Sequence, residues 1–324
     1  AVCDSKNNVH LVYLKGNEVL KVMYKEFNGV FWTAPSEIHP YSTKSVLLKC
    51  DKQDRLFCTW YLGNTSYFTY CDLDRTKPVW ANAAPINTTN DYLINYYVFD
   101  NKQNVHAISS YCFWGDYYDF RPYYHIFNKE ANLWSVSEKV GDYEEKSLGY
   151  GIVLSSKDSL YASVSVGQGL DNNTDNLLSK YYTDSNWSIP YSYGNNNNWE
   201  REMYIDQNNY LHLFELHFFT GGDTNGSKGL IHSIGKNELW QTVIVDSSSY
   251  SGYSDPNVSY DMINNKFYLL YMKGDTVNHI TRIIFRSKQN TTGIEDTDDG
   301  LVIDDFKLEQ NYPNPFNNQT NISY

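Results

Sequence analysis

Two arginines set in aromatic-rich segments are the groups in this chain best placed to do chemistry. Arg121 follows Phe113-Trp114-Gly115-Asp116-Tyr117-Tyr118-Asp119-Phe120 and precedes Tyr123, Tyr124 and His125; Arg201 follows Trp199 and Glu200. A guanidinium neutralises a sugar carboxylate, and a neighbouring histidine or tyrosine can then move a proton. Together with His217 and His39 these residues form a candidate set for eliminative cleavage of an acidic polysaccharide. Asp116 and Glu200 offer a carboxylate pair for glycoside hydrolysis, a role that depends on their separation in space. No zinc spacing, phosphate-cradling glycine loop or serine–histidine–aspartate signature stands out. No metal and no cofactor is expected; Asp296, Asp298 and Gly300 form part of a calcium-loop pattern with too few ligands.

The same segments suit binding without catalysis. Tyr41, Tyr92, Trp114, Tyr117, Tyr118, Tyr143, Tyr191, Tyr193, Trp199, Tyr250 and Tyr253 stand beside Asp, Asn and Ser, with Arg121 and Arg201 among them. A sugar ring stacks its C–H face on an aromatic ring and needs many donors and acceptors for its hydroxyls. The alternative is that these rings cover the edge of a core, leaving a structural or protein-interaction role.

The elements that must position these residues are set by a repeat. A six-residue interval recurs from Asp4 to His10, Asp51 to Phe57, Asp100 to His106, Ser155 to Tyr161, Asp206 to His212 and Asp261 to Phe267. Each copy continues as an alternating strand such as Val9-His10-Leu11-Val12-Tyr13, then a third strand, a turn and a tryptophan. Those tryptophans are Trp32, Trp80, Trp134, Trp187 and Trp240; the sixth copy lacks one. Four short strands repeated six times predict an all-β chain folded as a six-bladed β-propeller. The Asp-marked turns and the turns before each tryptophan lie at one end of the blades. Second-to-third-strand loops and blade connections lie at the other, where the aromatic segments fall. Marker residues, His10, His106 and His212 included, read as scaffold.

The run Asn8-Val9-His10-Leu11-Val12-Tyr13, then Tyr24, then Gly29-Val30-Phe31-Trp32, resembles the repeats of sialidase-like propellers over roughly residues 1–290. The aspartate box of that family is degenerate here: Asn28–Trp32 and Asn128–Trp134 keep the turn and the tryptophan without Ser-Asp-Gly. The resemblance implies the fold rather than an activity. A sialidase needs three arginines on its substrate carboxylate, and the six present are Arg55, Arg75, Arg121, Arg201, Arg282 and Arg286. The repeat puts Arg55 and Arg75 at the scaffold end and Arg282 and Arg286 on an outer strand, so sialidase activity is not expected.

Residues 291–305 read as an acidic linker. Phe306–Tyr324, with its Gln310–Phe316 core followed by Thr320, Ile322 and Tyr324, resembles the opening of the C-terminal sorting domain of the type IX secretion system. It departs from that pattern at Asn318, where proline is usual, and stops after one strand. The resemblance implies a Bacteroidetes-like secreted or surface-attached protein, with the secretion machinery as a partner. The chain opens at Ala1 without Met, at the first strand of copy one, and the sixth copy has no convincing fourth strand. A truncated N-terminus is therefore expected, and a seventh blade would fit if it were lost with that end.

Cys58 and Cys71 are equidistant from the middle of Gly63-Asn64-Thr65-Ser66. A simple hairpin places them opposite each other as a disulfide candidate; the alternative is two small buried apolar residues. Cys3 and Cys50 occupy equivalent repeat positions, which would place them on neighbouring strands. The formal charge of −12 and the absence of a basic run disfavour nucleic acid, and no apolar stretch is long enough to span a membrane. A monomer that meets a glycan or cell-surface ligand is the expected state.

Overall fold

The computed structural model describes residues 1–290 apart from 18, 43, 63–64, 74–77, 87–91, 114–118, 136, 142–146, 167–173, 182–183, 185, 195–200, 220–226, 237–238, 249–256, 262–263 and 276–279. For some strand residues beside these gaps only the backbone is described. The fold is a six-bladed β-propeller in which every regular element among the described residues is a strand, in six antiparallel sheets taken in chain order.

The first sheet holds β1 (Val2–Cys3), β2 (Val9–Lys15), β3 (Leu20–Phe27) and β4 (Ser36–Ser42). The second holds β5 (Lys44–Cys50), β6 (Arg55–Leu62), β7 (Thr65–Asp72) and β8 (Ala84–Pro85). The third holds β9 (Tyr92–Phe99), β10 (Val105–Phe113), β11 (Asp119–Asn128), β12 (Leu133–Trp134) and β13 (Glu138–Lys139), the last two both paired with β11. The fourth holds β14 (Ser147–Leu154), β15 (Ser159–Val166), β16 (Thr174–Tyr181) and β17 (Tyr191–Gly194). The fifth holds β18 (Arg201–Ile205), β19 (Leu211–Phe219), β20 (Ser227–Lys236) and β21 (Leu239–Ser248). The sixth has three strands, β22 (Asn257–Asp261), β23 (Lys266–Asp275) and β24 (Ile280–Gln289). The chain divides into two compact units, Ala1–Ile152 with Ser185–Ser188, and Val153–Asp184 with Ile189–Tyr324.

The marker aspartates build the turns they mark. Asp4 Oδ1 accepts from the backbone N–H of Lys6 and Asn8, Asp51 from Gln53 and Arg55, Asp100 from Lys102 and Asn104, and Asp206 from Asn208 and Tyr210. Ser155 Oγ makes the corresponding pair with Lys157 and Ser159. Each turn is closed by a left-handed residue three positions on: Asn7, Asp54, Gln103, Asp158 and Asn209. A type I turn followed by a left-handed residue is a favoured three-residue hairpin loop.

In the sixth copy the left-handed residue is Asn265, four positions after Asp261. The repeat there is displaced by one residue relative to the sequence reading, and Tyr268 rather than Phe267 takes the position of His212. Phe267 turns the other way, into a core with Phe214, Leu230, Val245, Val258, Leu269 and Tyr271.

In the first unit, buried histidines link turn to strand. His10 Nε2 lies 3.3 Å from Asp4 Oδ2 and its Nδ1 2.7 Å from the Tyr24 hydroxyl. His106 repeats this with Asp100 at 3.3 Å and Tyr124 at 2.6 Å. Tryptophans from the following sheet then cover these rings edge-on, Trp80 against Tyr24 at 5.5 Å and Trp187 against Tyr124 at 5.7 Å. Trp134 meets Phe68 in the same way at 5.3 Å. Polar latches join neighbouring turns: Ser5 N–H donates to Asp54 Oδ1 at 2.7 Å, and Arg55 donates to the Gln103 carbonyl at 2.6 Å.

In the second unit His212 bridges Asp206 and His232, and Trp240 packs against the core of Val153, Leu177, Met203, Leu211 and Leu213. Trp240 lies across from Gly235 on the neighbouring strand, where a Cβ would come within 2.2 Å of the indole. Glycine is required there by the ring that sits on it.

The expected Cys58–Cys71 pairing is not formed. Strand β6 runs to Leu62 and β7 starts at Thr65, which shifts the hairpin register so that Cys58 pairs with Thr69 and Cys71 with Leu56. Both side chains are buried as thiols and form no disulfide, and burial pushes that of Cys58 far above its ordinary range. Cys3 and Cys50 are also free; burial first, then Asp54, Asp51, Asp4 and Cys3, push the Cys50 thiol up to about 12. Unfolding the protein without reductant in the presence of iodoacetamide is expected to alkylate Cys58 and Cys71 completely. A peptide carrying the two joined would contradict this register.

Candidate functional site

The loop end of the blades, opposite the Asp-marked turns, is described best on the first two sheets. There β4 contains His39-Pro40-Tyr41. Proline cannot donate to a ladder, and β4 tolerates it because it is the last strand of its sheet. The β3–β4 register shifts between Leu20 and Val22 and again between Val22 and Met23. Such irregularities bend a strand and re-aim its side chains. Here they accompany an exposed Tyr41, with His39 half-buried behind it.

His39 joins the two sheets through aromatic contacts. Its ring centroid lies 5.0 Å from Trp60 and 6.0 Å from Tyr67, and the Tyr67 and Trp60 rings stack at 6.0 Å. Tyr41 meets His39 edge-on at 6.3 Å. Trp60 is fully buried and forms the floor, while Tyr67 is half-buried and Tyr41 is 55% exposed. The cluster is therefore graded from a packed base to an open rim.

His39 Nδ1 lies 2.8 Å from the Tyr41 carbonyl oxygen, a distance that orients the imidazole by hydrogen bonding through that nitrogen. The Tyr41 backbone N–H points at the same nitrogen from 3.3 Å, so both backbone groups of Tyr41 fix the ring through Nδ1. Beside the cluster Lys21 Nζ pairs with Glu37 Oε2 at 2.7 Å, both side chains being exposed. The Glu37 carboxylate, and the nearby Tyr41 in smaller measure, raise the Lys21 ammonium above its ordinary value. Rings, an ammonium, a carboxylate and an imidazole thus stand together at one solvent-facing edge.

The other candidates are placed as follows. Tyr124 is buried, with its hydroxyl on His106, and His125 is buried, with its Nε2 2.7 Å from Ser109 Oγ. Both are core groups of the third sheet rather than acid–base groups open to a polysaccharide: adjacent on β11, they point to opposite faces of the sheet, and each is covered. Arg121 and Tyr123 are half-buried on the same strand, opposite Tyr111 and Ser109. Tyr191 is half-buried on β17 opposite Leu177. Tyr92, Tyr193, Arg201 and His217 lie on β9, β17, β18 and β19, with side chains outside the description. Trp114, Tyr117, Tyr118, Tyr143, Trp199, Tyr250 and Tyr253 lie outside the described residues, as do Asp116, Glu200, Asp296, Asp298 and Gly300. Trp60 and Tyr67 were not singled out by sequence, because they read as ordinary strand residues; their nearness to the Gly63-Asn64 turn was the available signal. Among the described residues no group of three or more His, Cys, Asp or Glu could hold a metal ion, and no helix is long and apolar enough to cross a membrane.

Buried ionisable groups set an acid limit on the scaffold that holds this site. Burial pulls His125 down to about 4 and also lowers His212 and His232. Burial opposes the ionised forms of Asp100 and Asp206, yet hydrogen bonds from His106 and Asn104, and from His212 and Tyr210, hold both carboxyls below their ordinary value. The unfolded chain therefore binds more protons than the folded one below the ordinary histidine value of 6.5. Stability is complete above that pH, falls as the pH drops toward about 4, and falls further once the aspartates protonate below 3.8. Melting temperature is expected to decline steadily across this window; a flat profile would contradict the neutral, buried state of these histidines.

No protein-family model matches the chain, and no curated protein matches it in sequence. Its fold is similar to several solved structures. A protein of unknown function from Dyadobacter fermentans superposes with a TM-score of 0.62 at 10% identity, over 87% of this chain and 91% of that one. The Hadza microbial sialidase Hz136 gives 0.52 at 10% identity, over 85% and 65%. The α-L-arabinanase of Penicillium chrysogenum, solved with arabinobiose, gives 0.53 at 11% identity, over 76% and 77%. At such identities the likeness shows the fold alone.

Proposed function

We propose that this protein is a secreted or surface-attached propeller that binds a glycan through the aromatic loop end of its blades. The observation that carries the reading is the graded cluster of Trp60, Tyr67, His39 and Tyr41 with the Lys21–Glu37 pair beside it. An exposed ring backed by a packed base gives a sugar's C–H face a surface that is already ordered, and the flanking charges serve its hydroxyls. The propeller glycosidases among the structural neighbours support a glycan-related role without fixing a reaction. Export rests on the sorting-domain resemblance of Phe306–Tyr324.

The second reading is a carbohydrate-active enzyme, most simply a lyase on an acidic polysaccharide. It is favoured by the His39 imidazole, whose Nδ1 lies 2.8 Å from the Tyr41 carbonyl oxygen. In that reading Lys21 would neutralise a uronate carboxylate and His39 Nε2 would take the adjacent proton. A glycan array probed with the full chain, run beside an ultraviolet assay for unsaturated products on uronate polymers, separates the readings. Binding without absorbance gain supports the proposal, and absorbance gain replaces it with the lyase. Neither signal would leave a structural or protein-interaction propeller.

A further inference from the structure

Two imidazoles face each other inside the seam between the fifth and sixth sheets. His212 on β19 and His232 on β20 are both buried; their rings stack at 5.2 Å, and His212 Nδ1 lies 3.0 Å from His232 Nε2. His212 Nε2 stands 3.3 Å from Asp206 Oδ2, which also accepts at 3.0 Å from the Asn290 amide that follows β24. Phe267 of the sixth sheet closes the pair in, 4.6 Å from His212 and 5.9 Å from His232.

The second imidazole takes a place that a phenol holds elsewhere. His10, His106 and His212 pair in register with Glu26, Ile126 and Ile234, and two residues before those partners stand Tyr24, Tyr124 and His232. A hydroxyl donates and accepts, so it suits a marker histidine in either charge state. Two ring nitrogens 3.0 Å apart hold one proton between them. A second proton would aim two N–H groups at each other and set two cations side by side away from water.

The surrounding charges are already engaged. Among the described residues this seam carries the acids Asp206, Glu202 and Asp246 and the bases Lys236, Arg286 and Lys288; Tyr204, Tyr210, Tyr260 and Tyr271 are neutral in acid. Asp206 is held by two turn N–H groups, His212 and Asn290. Asp246 accepts from the Tyr271 hydroxyl and meets Arg286, Glu202 lies beside Tyr204, and Lys236 donates to the Asn208 carbonyl. Burial, then His212 and Lys288, hold His232 well below its ordinary value of 6.5, and burial outweighs Asp206 in lowering His212. Opening the seam returns both rings to water, so the open form binds more protons and gains as the pH falls below that value.

We propose that the His212–His232 pair is an acid-operated latch, through which a fall in pH releases the sixth sheet from the fifth while the seam of the first and second sheets, closed by His10 and Tyr24, holds. Release also parts Asn290 from Asp206, the side-chain tie between the end of the sixth sheet and the turn that opens the fifth. A three-stranded sheet stripped of its packing face does not keep its ladder, so release exposes the amides of β23.

Hydrogen exchange on the full chain between about pH 7.5 and about pH 5, read as protection relative to intrinsic exchange, tests this. Protection of the β23 amides should fall about tenfold per pH unit for each proton taken up, ahead of any fall at β2. His232→Tyr restores the arrangement of Tyr24 and should bring the pH slope at β23 down to that of β2. His212→Phe, which copies Phe57 at the second marker position, removes the other ring and should flatten the slope as well. A slope at β23 no steeper than at β2 in the unaltered protein, or a steep slope that persists in both variants, would overturn the proposal. Variants that lower protection equally at both pH values with the slope intact would also overturn it, reducing the pair to packing.

Discussion

Replacing Asp51 by alanine is expected to destabilise the folded chain by about 3–5 kcal/mol, the usual cost of stripping one partner from a buried ion pair. Asp51 and Arg55 are both 1% exposed and meet at 3.1 Å. Asp51 also accepts the two turn N–H groups, so its loss strands a guanidinium and opens the hairpin together. The Arg55 guanidinium stacks on Phe57 at 4.3 Å and reaches the Gln103 carbonyl, so the damage spreads to the neighbouring turn. Asp51→Ser separates the two effects. Ser155 shows that a hydroxyl can make the turn bonds, so serine should restore the hairpin but not the ion pair, leaving most of the loss. Chemical denaturation of the three proteins measures this. A cost below about 1 kcal/mol for alanine would place the pair among solvent-screened salt bridges.

The second large effect concerns binding. Tyr41→Ala is expected to weaken glycan affinity about tenfold to a hundredfold, in the range of an interface anchor, while leaving the melting temperature nearly unchanged. The reason is the grading of the cluster. Tyr41 contributes an exposed ring to the rim, whereas Trp60 belongs to the core of Val12, Val22, Tyr24, Leu48 and Cys58. Trp60→Ala should accordingly lose binding and stability together, by about 3–5 kcal/mol for the latter. Tyr67→Phe should keep stacking and report on the hydroxyl. Titration calorimetry with the glycan selected on the array, paired with thermal melts, distinguishes a contact residue from a supporting one. Equal affinity for Tyr41→Ala and the unaltered protein would remove Tyr41 from the site.

Much of the architecture is written in short-range chemistry and is legible for that reason. The turn aspartates, the strand alternation and the tryptophans recur because every blade solves the same local problem, so their spacing reveals the fold. Histidines at three of the six marker positions read as scaffold, and their burial against aspartate, tyrosine and a second histidine explains why. What sequence misses depends on parity and partner. One residue of turn length moves Tyr268 into the marker position, and a tight β6–β7 turn slides Cys71 away from Cys58. Neither shift leaves a mark in residue type. Alternation alone likewise could not tell which of Tyr123, Tyr124 and His125 faces inward, since all three types occur in cores and at sites. The rim cluster was half legible. His39 and Tyr41 stood out in a blade connection, but Trp60 and Tyr67 come from a different sheet and are joined to them only by packing.

Sugar C–H groups are expected to rest on the aromatic rim of the first two sheets. Saturation-transfer NMR with irradiation at aromatic resonances, on the full chain and the array-selected glycan, tests it directly. Transfer is expected to the protons of one face of the sugar ring, and it should collapse in a Tyr41→Ala, Tyr67→Ala double variant that remains folded. Transfer that is absent for every bound glycan, or undiminished in the double variant, would contradict it.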